Sequence, residues 1–263
     1  FTDAKIIAIT GTNGKTTTTS LLGEIMKSFY GDKAKVAGNI GIPLISVAPK
    51  LESDHYIIAE ISSFQLEAIK NFHPKISLFL NFSPDHLDRH KNTKKYLEAK
   101  MRIFENQDST DIALINFDDE RINKSCNNLK AKKYFISTNK VMKNGALVKN
   151  EKVYIVDNHK KIEIVSNKEI NLIGRHNLLN IAFASLAAYI IGVDIEIIRK
   201  SIKSFKADKH RLEVIIKKEN GSLVIDDSKA TNVDAALKAL NTFSQKIILI
   251  AGGQDRYANF KKF

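Results

Sequence analysis

Three things are scarce in this 263-residue chain, and each scarcity narrows what it can be. Cys126 is its one cysteine, so neither an internal disulfide nor a multi-cysteine zinc site can form, which fits a reducing compartment and an inert thiol. No apolar run approaches the ~20 residues that a membrane helix needs. No basic start leads into an apolar signal segment either, so a cytoplasmic protein with no membrane partner is expected. Arginine is sparse beside lysine. The net charge of +12, from 41 basic against 29 acidic residues, sits in scattered pairs such as Lys94-Lys95, Lys132-Lys133 and Lys217-Lys218. No stripe interleaves basic with aromatic residues, so the pattern reads as a solvated surface, favourable to an anionic substrate, and no nucleic-acid partner is expected.

What is present is enough apolar material, 43% of residues, to fill the core of one large or two ordinary domains. The chain is organised around Thr10-Gly11-Thr12-Asn13-Gly14-Lys15-Thr16-Thr17-Thr18. The β-branched run Lys5 to Ile9 precedes it as a buried strand, and Ser20 to Phe29 follows with apolar residues at helical spacing. Strand, glycine turn and helix start make a phosphate cradle: Gly11 and Gly14 let the backbone approach a polyphosphate, free N–H groups point at it, and Lys15 supplies a mobile positive charge. Thr16 is placed to offer its hydroxyl to Mg²⁺. Ile9 stands where the strict form of this loop has a glycine, so this is the shorter G-x-x-G-K-T version.

Further strand-like runs fall at Tyr56 to Ala59, Ile76 to Leu80, Ile112 to Ile115, Leu223 to Ile225 and Lys246 to Ile250, mostly separated by helical segments. That alternation predicts an α/β fold with a mostly parallel sheet flanked by helices. From Lys140 to Ile173, short β patterns alternate with Asn-Gly and Asp-Asn turn signals, which predicts a small antiparallel patch. Helices are expected from about Asn177 to Ile191, stopped by Gly192, and from Ile195 to Phe205. A domain boundary is placed at Lys206 to Lys209, giving domains 1–207 and 208–263.

Two polar stretches follow predicted strands directly. Glu60 stands at the carboxyl end of one strand beside the phosphate loop, where ligands of parallel sheets bind, and is a candidate metal ligand. In Asn81-Phe82-Ser83-Pro84-Asp85-His86-Leu87-Asp88-Arg89-His90, His86 is the second candidate, because a hard metal can take carboxylate and imidazole from neighbouring loops. Asp88 and His90 read as supporting or surface residues. Lys100, on the amphipathic stretch Tyr96 to Phe104, reads from composition as an ordinary surface lysine.

Gly11-Thr12-Asn13-Gly14-Lys15-Thr16, Gly38-Asn39-Ile40-Gly41, Glu60 to Glu67, Asp85-His86-Leu87-Asp88-Arg89 and Gly174-Arg175-His176-Asn177 occur in the order seen in the Mur ligases, ATP-dependent amino-acid-adding enzymes of peptidoglycan synthesis. His210-Arg211-Leu212-Glu213 and Asp226-Asp227-Ser228-Lys229-Ala230-Thr231-Asn232 resemble the branch that joins D-glutamate to UDP-N-acetylmuramoyl-L-alanine. The resemblance covers essentially the whole chain. It implies a central ATP-binding domain and the start of a C-terminal Rossmann-like domain, with the family's N-terminal UDP-binding domain outside this chain. It further implies a monomer using ATP and two Mg²⁺ ions: one on Thr16, the other on Glu60, His86 and Lys100, the lysine carbamylated by CO₂. The nucleotide would meet Gly11, Thr12, Asn13, Gly14, Lys15, Thr16 and Thr17 together with Asn177, Asn180, Arg211 and Asp227. The substrates would meet Asn39, Ser62, Lys229, Thr231 and Arg256.

Two other readings stay open at this point. A sister ligase of the pathway, or a folate-polyglutamylating one, would share the loop, Glu60, His86 and Lys100 but differ at Asp227 to Asn232. A nucleotide-binding module without ligase activity, or a P-loop protein acting on nucleic acid, would keep only the loop; strongly salt-dependent binding to DNA or RNA would mark the latter.

Overall fold

The structure is a computed structural model and describes residues 2–206 and 209–253. In chain order the elements are β1 (Lys5–Thr10), α1 (Lys15–Tyr30), β2 (Ala34–Gly38), α2 (Leu44–Val47), β3 (Tyr56–Glu60), α3 (Ser63–Glu67), β4 (Ile76–Phe79), α4 (Leu87–His90), α5 (Thr93–Met101), β5 (Ile112–Asn116), α6 (Glu120–Ser125) and β6 (Lys132–Ser137). After them come β7 (Gly145–Lys149), β8 (Lys152–Asp157), β9 (Lys160–Ser166), α7 (His176–Ile191), α8 (Ile195–Ser204), β10 (Glu213–Lys217), β11 (Leu223–Asp226) and α9 (Val233–Leu240).

The first nine strands form one sheet in the order β2-β3-β1-β4-β5-β6-β7-β8-β9. All pairs from β2 to β7 are parallel, and β8 alone runs against its neighbours. The central strands are apolar without alternation because both faces are covered. Ile7, Ile9, Ile58, Leu78 and Leu114 face a layer made by α1, α7 and α8, whose Leu21, Ile25, Ile181 and Ile198 are buried against them. Ala8, Ile57, Ala59, Phe79 and Ile115 face the opposite layer, with Leu66, Tyr96, Ile103 and Ile122. Each fully buried Leu or Ile contributes about 1.5–3 kcal/mol relative to exposure. In the second layer Cys126 is 1% exposed, its Sγ 4.0 Å from Met101 Sδ at the end of α5.

The predicted α/β fold and the helices of the α7–α8 region agree with these elements, α7 ending at Gly192 in the left-handed conformation (φ 93°). The antiparallel patch predicted over Lys140 to Ile173 is the β7-β8-β9 end of the main sheet, joined to it through the parallel pair β6–β7. A second, two-stranded antiparallel sheet is formed by β10 and β11. One expectation fails: Lys246 to Ile250 forms no strand, and Ile248 and Ile250 are 95% and 96% exposed. A strand persists through ladder hydrogen bonds to a neighbour, and none of the described strands pairs with this run.

The strand order reverses around β1, with β3 on one side and β4 on the other. The segments that follow β1, β3 and β4 therefore meet outside the carboxyl edge of the sheet, where parallel folds bind ligands. Every residue discussed next lies there or against it.

Candidate nucleotide and metal site

Gly11 to Gly14 turn from β1 into α1. Gly14 has φ 82°, and a Cβ there would stand 2.3 Å from Asn180 Oδ1, so only glycine fits. No side chain caps the start of α1 and no acid lies in its first turn. Helices α3, α5, α6, α8 and α9 differ: each has its first amides capped by the side chain of Ser62, Asn92, Asp119, Asp194 or Asn232. The orphan N–H groups of α1 are thus left for an anion, with the helix dipole aligned to favour one. Asn81 braces the loop: its Oδ1 accepts from Asn13 N at 2.9 Å, its Nδ2 donates to Asn13 O at 2.8 Å, and its carbonyl accepts from Thr12 N at 3.0 Å. Thr12 Oγ1 donates to Ser83 O at 3.0 Å, and Thr17 is buried.

Two lysines converge on a single loop carbonyl. Lys15 Nζ donates to Gly11 O and Thr12 O, both at 2.9 Å, and Lys100 Nζ donates to Gly11 O at 2.8 Å. Lys100 is 1% exposed and lies 4.8 Å from the centroid of the Tyr96 ring. The surface-lysine reading from composition is corrected here, because α5 turns this residue inward beneath the phosphate loop. Burial, reinforced by the neighbouring Lys15 charge, holds the Lys100 ammonium well below its usual pKa, while Asp85 and Glu60 pull the other way. Lys15 is lowered too, by burial first, against the raising effect of Glu60 and Asp85.

Glu60, the last residue of β3, is 2% exposed. Asn39 grips it twice, donating from Nδ2 to Oε1 at 2.8 Å and from its backbone N to the Glu60 carbonyl at 2.8 Å. Gly38 permits this approach: its φ is 109°, and a Cβ would meet the Glu60 carbonyl at 2.3 Å. The second carboxylate oxygen, Oε2, is buried with no hydrogen-bond partner among the described residues. A buried carboxylate oxygen without a hydrogen-bond partner has given up its hydration for no direct contact, which is the condition a divalent cation would relieve. His86 opens α4 in the left-handed conformation (φ 52°, ψ 36°), its Nε2 3.8 Å from Asp85 Oδ2 and its ring against Phe64 and Tyr96. Carboxylate and imidazole oxygen and nitrogen donors suit Mg²⁺ or Mn²⁺, so the residues fit such an ion.

The segment after residue 209 reaches back onto the loop. Arg211 Nη2 donates to Thr16 Oγ1 at 3.0 Å, and Arg211 Nε is buried without a partner among the described residues. Asp234 Oδ2 accepts from Asn13 Nδ2 at 2.7 Å, and Asn232 Nδ2 donates to Asn13 Oδ1 at 3.1 Å and to Asp85 Oδ2 at 3.0 Å. Asp227 accepts from Leu212 N at 3.1 Å, and burial raises its carboxyl pKa. Asn177 and Asn180 are buried; Asn180 Nδ2 donates to Asn177 Oδ1 at 2.9 Å, and Asn177 Nδ2 to Ile173 O at 2.8 Å. Ser62 caps α3 in a reciprocal box with Gln65, while Lys229 and Thr231 are exposed. Arg256 lies outside the described residues.

Sequence reasoning therefore names the loop, Glu60, His86 and, through resemblance, Lys100. It passes over Asn81, Asp85 as a charge acting on both lysines, Asn232 and Asp234. Asn81 had a signal, an amide that follows the apolar run Leu78-Phe79-Leu80. The contacts across more than 200 residues between Asn13 and α9 had none.

Residues 9–188 match the Mur ligase middle domain. Over its entire length the chain is 46% identical to the UDP-N-acetylmuramoylalanine--D-glutamate ligase of Thermoanaerobacter sp. (strain X514), of which it covers 58%. It is 41% identical over 254 residues, 97% of this chain, to the protein of the same description in Clostridioides difficile (strain 630), covering 56% of it. The chain thus spans less than two thirds of the length of these relatives. Among solved structures, MurF from Acinetobacter baumannii superposes with a TM-score of 0.71 at 19% identity, over 93% of this chain and 55% of that one. MurF ligase from Thermotoga maritima, in complex with ADP, gives 0.66 at 22% identity, over 92% and 57%. At such identities the structures establish a common fold.

Proposed function

This chain belongs to the Mur ligases, and we propose that it is the nucleotide-binding portion, with part of the amino-acid-binding portion, of a cytoplasmic ligase that joins D-glutamate to UDP-N-acetylmuramoyl-L-alanine at the expense of ATP. The observation that carries the reading is the meeting of Lys15 and Lys100 on the Gly11 carbonyl beside the orphan oxygen of Glu60. Cations and a cation-seeking carboxylate at an uncapped helix start fit phosphoryl transfer, where catalysis is positioning plus charge stabilisation. Similarity to the D-glutamate ligases along the whole chain supports the choice of substrates.

In this reading the alanyl carboxylate attacks the γ-phosphorus of ATP, an O–P bond forms, and ADP leaves. The D-glutamate amine then attacks the resulting acyl phosphate, inorganic phosphate leaves, and the amine loses a proton as the amide forms. Lys15 exchanges its two loop carbonyls for phosphate oxygens. Two Mg²⁺ ions, one on Thr16 and the other on Glu60, His86 and Lys100, would neutralise the crowded negative charge. Lys100 becomes an anion by carbamylation: its neutral amine bonds to the carbon of CO₂ and releases a proton. Burial supports this, since a lowered pKa favours the neutral amine, which is the form that reacts.

Arg211 and Asp227 take the nucleotide from the domain beginning at residue 208, and Asn177 and Asn180 serve it from behind Gly14. Asn39 and Ser62 belong to the acceptor substrate, and Lys229, Thr231 and Arg256 to D-glutamate, whose side-chain carboxylate suits a basic partner. The active protein is a monomer of two or more domains closing on ATP.

The test is phosphate release by the full-length protein supplied with ATP, UDP-N-acetylmuramoyl-L-alanine and, separately, D-glutamate, L-glutamate or L-lysine. Release that depends on D-glutamate alone is expected. Stimulation by another amino acid assigns a sister ligase, and no stimulation by any leaves a nucleotide-binding module.

A further inference from the structure

The buried imidazole of His90 has no part in the reaction just described, yet both of its ring nitrogens are engaged. Nδ1 lies 3.2 Å from Glu67 Oε1 and Nε2 lies 3.0 Å from Ser63 Oγ. A carboxylate only accepts, so Nδ1 carries the proton and Nε2 accepts from the serine hydroxyl. The order Glu-His-Ser is that of a nucleophilic triad, but Ser63 and His90 are each 3% exposed and no substrate reaches them. The network acts through position.

Ser63 and Glu67 are the first and last residues of α3, one turn apart on one face. A five-residue helix has no stability of its own. His90 splints it, and α3 begins three residues after Glu60. The other end of the splint is α4, where His90 N donates to His86 O at 2.9 Å. His86 holds a left-handed backbone conformation, which for a non-glycine residue persists only when its surroundings over-determine it. Phe64 supplies part of that constraint by lying between the two histidines, stacked on His90 (5.5 Å, 11°) and edge-on to His86 (5.0 Å, 70°). Tyr96 touches His90, His86 and the Lys100 ammonium.

We propose that His90 is a positioning residue: by bridging the two ends of α3 and packing with Phe64 and Tyr96, it fixes the segments after β3 and β4 so that Glu60 and His86 face one divalent cation. The inference rests on the metal reading of Glu60 and His86 proposed above. Groups hydrogen-bonded to metal ligands typically change affinity 10- to 100-fold when altered, and His90, which acts through α3 and α4, belongs at the lower end of that range.

The experiment measures Mn²⁺ binding to the full-length protein by electron paramagnetic resonance of the free ion, without nucleotide, and ADP binding by calorimetry in chelator. Glu60→Ala identifies the site. His90→Phe keeps ring stacking and removes both hydrogen bonds; about a tenfold loss of Mn²⁺ affinity is expected, with ADP affinity within twofold of wild type. His90→Gln, whose amide can both donate and accept, should recover most of the affinity, and Ser63→Ala, a milder change that keeps the Glu67 bond, should fall between. Wild-type Mn²⁺ affinity in His90→Phe overturns the inference, as does parallel weakening of Mn²⁺ and ADP, which marks general loss of structure. A wild-type protein whose Mn²⁺ binding is unaffected by Glu60→Ala overturns the metal reading itself, and the inference with it.

Discussion

The two edges of the parallel sheet bury similar chemistry to opposite ends. At the edge away from the phosphate loop, Asp111 is fully buried, but every demand of its carboxylate is met: His73 Nε2 at 2.6 Å, Lys75 Nζ at 2.9 Å and Asp108 N at 2.8 Å. Burial pushes its pKa up, and these hydrogen bonds outweigh it, leaving the group below its ordinary value of 3.8. At the carboxyl edge Glu60 is equally buried, one oxygen is bonded by Asn39, and the other is left alone beside two lysines that share a carbonyl. A satisfied buried charge stabilises a fold; an unsatisfied one is tolerated where a ligand completes it.

Replacing a lysine at the carboxyl edge should separate the two roles most sharply. In the full-length protein, Lys15→Ala, which takes a cation from the transferring phosphoryl group, and Lys100→Met, which removes the amine that carbamylation requires, are each expected to lower the proposed D-glutamate-dependent phosphate release by at least ~10²–10³-fold. Lys100→Met should leave the thermal midpoint unchanged or raised, since it removes a desolvated ammonium. At the opposite edge Asp111→Ala should invert this, costing about 2–3 kcal/mol in denaturant unfolding while kcat per folded molecule stays at the wild-type level. A large loss of kcat there would break the contrast.

The pH dependence sharpens it further. Because the folded pKa of Asp111 lies below 3.8, the unfolded state binds more protons between the two values, so its contribution is complete above the unfolded pKa and lost as pH falls through the folded one. Urea midpoints should drop steeply below about pH 4, and Asp111→Asn should flatten that limb. The smallest effect belongs to His176, at the start of α7, whose pKa is lowered by burial and then by Lys238, against Asp234. A depressed histidine means that the unfolded state takes the proton first, so stability erodes as pH falls below 6.5. Hydrogen exchange should show the amides of the first turn of α7 loosening between pH 7 and 5 while those around Asp111 stay protected.

How much of this the sequence discloses follows from the range of the interactions involved. Strand, turn and helix around Gly11 to Lys15 are local, and their residues announce them. The placement of Glu60 and His86 is legible because Glu60 closes one strand and His86 follows another, and parallel topology delivers strand ends to one edge. Lys100 is illegible from its own helix, whose surroundings read as an ordinary surface; only the fold places it beneath Gly11. His90 reads from sequence as either a supporting or a surface residue, and only the docking of α3 and α4 gives it partners and buries it. The strand expected at Lys246 to Ile250 fails for the complementary reason, since an apolar run encodes a strand only when a neighbour completes its hydrogen bonds.

The packing of Cys126 against Met101 turns the second layer into a measuring device. Its thiol, pushed up to about 12 by burial, can meet an alkylating reagent only when the packing of the second layer around it opens. The rate of its modification is therefore a clock for opening of the layer that includes α5, the helix that carries Lys100, read at one residue without an added probe. Any event at the lysine that stiffens α5 should slow that clock, and any that strains it should make the clock run fast.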